Sequence, residues 1–137
     1  MVGQSRSKYQ SLGLNLLRIM TGFLFIPHGA QKLFGLFGGF GGQSGATAPL
    51  FSLLGLAGFL EFFGGVAILL GLFTRPVAFI LSGQMAVAYF MAHAPNGFWP
   101  VQNRGELVVL YAFVFLFLAA ADGGGLSVDG LLRKQKG

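Results

Sequence analysis

The stretch Pro49–Phe73, PLFSLLGLAGFLEFFGGVAILLGLF, decides the fold. Apart from Glu61 it carries no charge and is dominated by Leu, Phe, Gly, Ala and Ile. About 20 apolar residues in a helix cross a hydrocarbon core about 30 Å thick, so a run of this length reads as a membrane-spanning helix. A carboxylate near its centre then costs roughly 2.5 kcal/mol or more unless it is protonated or partnered. Glu61 therefore requires a companion or a task.

The rest of the chain agrees with that reading. Of its 137 residues 54% are hydrophobic and only 9% charged, and the mean hydropathy of +0.71 lies outside the range of water-soluble domains of this size. Further apolar runs extend over Ser11–Gly35, Pro76–His93 and Arg104–Ala121, the first of these carrying polar interruptions. Loops as short as Thr74-Arg75-Pro76 force neighbouring helices to run antiparallel. The expected architecture is all-α, one membrane domain over residues 1–137, an integral antiparallel four-helix bundle.

The net charge of +5 would suggest nucleic acid for a soluble chain, but here the cations sit at the ends of the spans. Arg6, Lys8, Arg75, Arg133, Lys134 and Lys136 fall on one side, against Lys32 and Arg104 on the other. The positive-inside rule places both termini in the cytoplasm, with no nucleic-acid partner. Arg18, His28 and Lys32 interrupt the first run and no small-residue cleavage site follows it, so it is expected to be retained rather than removed as a signal peptide. With no cysteine, disulfide exchange, thiolate metal sites and persulfide chemistry are all excluded from this chain.

Between the first two spans, Phe34–Ala48 (FGLFGGFGGQSGATA) reads as a non-helical interfacial loop, broken by glycine and held by phenylalanine. The connection Ala94–Asn103 (APNGFWPVQN) reads as a structured turn with Trp99 at the membrane interface. Asp122-Gly123-Gly124-Gly125 ends the last span, and a short basic tail follows.

At 100° per residue, Ala57, Gly58, Gly64 and Gly65 share the face of Glu61, where small residues allow a close helix approach. The same arithmetic places Arg18, Gly22, Phe25, His28, Gly29 and Lys32 on one face of the first helix. His28, His93 and Glu106, with Lys32 and Arg104 around them, are expected to cluster at the outer mouth of the bundle above Glu61. Such a pocket could meet the oxygens of a quinone head group and trade protons with it, or move protons along a short chain of groups. Two plainer readings stand beside this: an Arg18–Glu61 ion pair that locks two helices without a ligand, and His93 and Glu106 holding the outer turn together. No metal site is expected, since the histidines and glutamates lack ligand spacing.

Several motifs also resemble a known family. Leu16-Leu17-Arg18-Ile19, Gly22, Phe25, His28-Gly29 and Lys32-Leu33-Phe34-Gly35 are similar to the first helix of the DoxX family of small bacterial membrane proteins. Gly58, Glu61 and Gly64-Gly65 resemble its second helix. His93, Gly97-Phe98, Pro100 and Asn103-Arg104-Gly105-Glu106 resemble the connection that follows. GGGLSVDGL at Gly123–Leu131 is similar to its terminal Gly-Pro-Gly-x-x-Ser-x-Asp element, with Gly124 read in the place of proline. The resemblance implies a four-helix, multi-pass protein of the bacterial inner membrane, with relatives among subunits of thiosulfate:quinone oxidoreductase, terminal oxidase systems and complexes that detoxify oxidants.

The expectation is a small integral subunit of a respiratory or redox complex, not an enzyme alone, that contacts quinone through His28, Glu61, His93, Glu106, Lys32 and Arg104. No covalent cofactor is expected; the partners would be the lipid bilayer and other membrane subunits or further copies of the chain. The rival expectation is a non-enzymatic accessory subunit that stabilises a larger membrane complex.

Overall fold

Why each helix begins and ends where it does is written in its caps. The computed structural model describes residues 5–137, and helix is the only regular secondary structure among them. Helix α1, Lys8–Phe34, opens on a reciprocal cap: Ser7 Oγ accepts from Gln10 N at 3.2 Å while Gln10 Oε1 accepts from Ser7 N at 2.9 Å. It stops at Gly35, whose φ of 67° only glycine adopts readily. Helix α2, Leu53–Leu70, is capped by Ser52 and ends at Gly71, φ 69°. Helix α3, Thr74–Asn96, follows after three residues. Helix α4 is Glu106–Ala121 and helix α5 is Val128–Gln135. Helices α2 and α3 are long and apolar enough to cross a membrane; α4 is apolar and shorter.

These bounds sit close to the expected spans. The loop after α1 contains one short turn, Phe40–Gly42, and folds back so that Ala48 N donates to Lys32 O at 2.8 Å. The connection from α3 to α4 is built around buried Asn103, which donates to Gly97 O at 2.7 Å and to the Tyr89 hydroxyl at 3.1 Å, and accepts from Gly105 N at 2.8 Å. Trp99 there is exposed, as an interface residue would be.

Helices α1 and α2 touch backbone to backbone and run in opposite directions. A Cβ at Gly22 would lie 2.6 Å from Leu69 N, and one at Gly29 only 2.3 Å from Phe62 N. Gly58 and Gly65 on α2 meet Lys32 Cβ and Ile26 in the same way. Without a hydrophobic drive between helices in lipid, such close packing supplies the attraction. Helices α3 and α4 form the second pair, with Ser82 Oγ donating to Ala112 O at 2.7 Å. Phe25 joins the pairs: its ring centroid lies 4.9 Å from Phe115 and 5.0 Å from Tyr111, within a core that includes Ile68, Leu81, Met85 and Leu118.

Arg18 closes the end of the helix pairs next to the segment after α4, and not by the expected ion pair. It is fully buried and donates to four carbonyls: Gly123 O from Nε at 2.7 Å, Ile68 O and Leu69 O from Nη1 at 2.8 and 2.5 Å, and Leu126 O from Nη2 at 2.5 Å. Of these carbonyls only Ile68 O has a second partner, Gly71 N at 3.1 Å; a helix C-terminus and an irregular segment leave such acceptors open, and a guanidinium has enough donors in a plane to serve them. The Arg18–Glu61 pair is thus replaced by an arginine bound to backbone and a glutamate bound elsewhere.

The segment after α4 is fastened at more points. Asp129 accepts from Phe73 N at 2.9 Å and Thr74 N at 2.8 Å, capping α3 from across the molecule. Asn15 Oδ1 accepts from Leu126 N at 3.2 Å. Gly124 has φ 77°, which a proline ring, fixed near −65°, cannot adopt. The placing of the family's proline at Gly124 is therefore corrected: counted back from Ser127 and Asp129, that proline corresponds to Gly123, and Asp122, φ 83°, stands where the element has its first glycine.

Candidate ligand cavity

Two helices of this molecule contain an irregular turn, and both turns border the same hollow. In α2 the segment Leu60–Gly64 is wound as a π-turn carrying Glu61; in α3 Tyr89–His93 is another. Such turns displace a side chain from its ordinary helical direction and are frequent at functional sites. Here they aim Glu61 and His93 into a cavity of about 660 Å³.

Glu61 is almost fully buried, and its partner is Lys32, one turn beyond His28 on α1. Lys32 Nζ lies 2.6 Å from Oε2. Gln84 of α3 donates to the other oxygen, Nε2 to Oε1 at 3.2 Å. A carboxylate can only accept, which fixes the amide with its NH2 group toward Glu61. Gln84 Oε1 is left buried without a partner. His93 Nδ1 lies 3.0 Å from Asn103 O; the carbonyl can only accept, so Nδ1 carries a proton, and in the neutral tautomer that this contact selects Nε2 is the acceptor. The His28 ring stands edge-on to Tyr111 at a centroid distance of 6.2 Å. Among the described residues, neither the His28 imidazole nor the Tyr111 hydroxyl has a protein hydrogen-bond partner.

Six polar side chains therefore line the cavity: His28, Lys32, Glu61, Gln84, His93 and Tyr111. The remaining lining is apolar, and its outer part, Leu54, Ile80, Val87 and Met91, belongs to the exposed apolar surface of α2 and α3. The cavity thus faces the side of the helix bundle that lipid would touch and ends on polar groups inside. It can accept a molecule that is apolar at one end and carries hydrogen-bonding atoms at the other.

Of the residues expected at the site, His28, Lys32, Glu61 and His93 come together. Glu106 and Arg104 do not. Arg104, φ 61°, closes the turn before α4 and is exposed, and Glu106 opens α4 on the exposed side. Their neighbour Leu107 lines the cavity in their place. The αL turn rotates the start of α4 so that its first residue faces out. Tyr111 and Gln84 were not among the expected residues, although Tyr111 is the one hydroxyl within the apolar run of α4 and that was a usable signal. Among the described residues, no three His, Asp or Glu side chains come together as metal ligands.

Comparison with known proteins gives the context. The sequence matches the DoxX family over residues 13–94, which covers α1 to α3 and five of the six polar groups of the cavity. The chain belongs to the DoxX family. It is 38% identical over 131 residues to an uncharacterised protein of Haemophilus influenzae, covering 93% of this chain and 96% of that one. It is 32% identical over 130 residues to the inner membrane protein YqjF of Escherichia coli, covering 93% and 98%. No solved structure matches the chain. The composition led to a membrane protein and the motifs resembled DoxX, and the two relatives extend the likeness past residue 94 through α4 and the segment that packs on Arg18.

Proposed function

We propose that this DoxX protein crosses the cytoplasmic membrane four times as an antiparallel bundle, with both termini in the cytoplasm. Its cavity takes the head group of a quinone from the outer half of the bilayer, within a respiratory or redox complex of which the chain is a small subunit. The observation that carries this reading is the cavity itself, bordered by lipid-facing Leu54, Ile80, Val87 and Met91 and floored by unpartnered polar groups. The residues fit such a head group: Tyr111 O–H can donate, His93 Nε2 and Gln84 Oε1 can accept, and the Lys32–Glu61 pair lies alongside. Quinone would supply two-electron chemistry; the protein would supply position, exclusion of water and groups that hold protons. The orientation rests on the six cations at the inner end.

Titration of a short-chain quinone analogue into the purified protein in nanodiscs, followed by calorimetry, tests the reading. Saturable binding is expected, weakened at least tenfold by His28→Ala, which removes a hydrogen-bonding imidazole, and by Glu61→Gln, which removes the charge that holds Lys32; either loss is worth about 1.5 kcal/mol or more in a dry site. No binding by the wild type removes the quinone role.

One observation favours a second reading, an accessory subunit with no ligand. The Lys32–Glu61 pair neutralises both charges inside the chain, so the fold needs no small molecule to keep them. Extraction in mild detergent separates the two: co-purification with stable subunits together with an absence of quinone binding would favour the accessory role.

A further inference from the structure

Helix α5 is turned the wrong way round for a protein in water. The side that touches the rest of the molecule is its polar one: Asp129 caps α3, Gly130 is buried on Ser127, and Arg133 Nη1 lies 3.3 Å from Asp122 Oδ2. At 100° per residue, Val128, Leu131 and Leu132 fall on the opposite side. Leu131 and Leu132 are 59% and 45% exposed, and Leu126, just before the helix, is 70% exposed. Lys134 and Lys136 flank this apolar face, and Arg75 and Lys8 are exposed on the same end of the bundle. The acidic groups at this end are already engaged, Asp122 by Arg6 and Arg133 and Asp129 by backbone N–H groups. The end therefore presents uncompensated positive charge around an uncovered apolar face.

We infer that α5 lies in the headgroup region of the bilayer at the inner end of the bundle, with Leu126, Leu131 and Leu132 in the acyl boundary and Lys134 and Lys136 binding anionic phospholipid. An amphipathic helix with leucines on one side and lysines at its margins binds a surface in that way. Charge complementarity selects anionic lipid, since zwitterionic headgroups give the lysines nothing to neutralise. The inference rests on the helices crossing the bilayer, but not on what the cavity holds.

The chain has no cysteine, so single nitroxide labels can be placed at will. Leu131→Cys and Leu132→Cys report on α5, and Phe113→Cys, exposed near the middle of α4, reports separately on membrane crossing. Each is reconstituted in nanodiscs of phosphatidylcholine alone or with phosphatidylglycerol added, and collision rates with oxygen and with a water-soluble nickel chelate give its depth. The α5 labels are expected about 5–10 Å below the headgroup surface, deeper with phosphatidylglycerol present, and the dependence is lost in Lys134→Gln/Lys136→Gln. A deep Phe113 label with α5 labels fully open to the nickel chelate in both lipids overturns the inference, as does a depth that ignores phosphatidylglycerol. A shallow Phe113 label would instead overturn the membrane crossing on which it rests.

Discussion

Arg18 has no exposed surface and, among the described residues, no ion-pair contact with a carboxylate, yet its site is well suited to a cation. Four carbonyl oxygens from two separate segments point at one planar group; Ile68 O also accepts from Gly71 N at 3.1 Å, but Leu69 O, Gly123 O and Leu126 O would lose their hydrogen bond without it. Arg18→Met removes every donor at once. At about 1–3 kcal/mol for each buried group left unpaired, less whatever relaxation recovers, the expected loss is at least about 3 kcal/mol. Denaturation in mixed micelles would read it, and Arg18→Lys should rescue only part, because an ammonium cannot reproduce the fork. Lys32 and Glu61 are a different case, a pair in which each partner needs the other. Lys32→Met and Glu61→Gln should each destabilise, and the double variant should cost less than the sum by about 0.5–3 kcal/mol; an additive result would mean that the 2.6 Å contact has no energetic content. At this scale the sequence was informative about which side chains turn inward, since helical periodicity is local. It could not say who meets whom. Arg18 and Lys32 lie on the same face of α1, so periodicity allowed either to reach Glu61, and the choice depended on carbonyls left open by turns that no local pattern reveals.

At the scale of elements, the glycines divide by what stands opposite them. Gly29 faces the Phe62 backbone, where an added Cβ would lie at 2.3 Å, whereas Gly83 on α3 has nothing within 4 Å. Backbone cannot swing aside as a side-chain tip can, so Gly29→Ala must push α1 from α2. The expected cost is about 1–3 kcal/mol. Gly83→Ala should have the opposite sign, a gain of about 0.5–1 kcal/mol from lower backbone entropy in the unfolded chain. Measured together in one denaturation series, the two substitutions separate packing from helix propensity; equal effects would count against the close contact. Gly35 ends α1 where the sequence put it, whereas the caps Ser7, Ser52 and Gly71 set the other ends of α1 and α2 three or four residues from the expected Ser11, Pro49 and Phe73. The π-turns were not legible. Neither Leu60–Gly64 nor Tyr89–His93 contains a residue that demands the wider winding, so it is set by the packing of whole helices, and with it the aim of Glu61 and His93.

Over the whole molecule, the two helix pairs are tied at the end where Arg18 and α5 lie, and the cavity lies away from that end. The gathering of Arg6, Arg75, Arg133, Lys134 and Lys136 near helix ends is visible without coordinates, because charge distribution along a chain is local. The opening between pairs was not visible, since it arises from where the ties are made. Asp122 is one of those ties: it lies 3.2 Å from Arg6 and 3.3 Å from Arg133, joining the segment before α1 to α5. Burial works against its charge, but the Gly124 N–H and the Arg6 and Arg133 guanidiniums outweigh that and hold its carboxyl below the usual aspartate value. The folded state therefore favours the ionised form. Its contribution to stability is fully present above the unfolded aspartate pKa of about 3.9 and is lost as pH falls through the lower, folded value. Asp122→Asn keeps an oxygen for Gly124 N–H but no charge for the arginines, so the variant should unfold at lower temperature than the wild type at neutral pH. The gap should narrow as the solution is acidified below pH about 4, because the wild type then loses the same charge. Unfolding midpoints followed by circular dichroism in detergent across that range give the answer: converging curves support the tie, and parallel curves would show that the two arginines hold Asp122 without drawing stability from its charge.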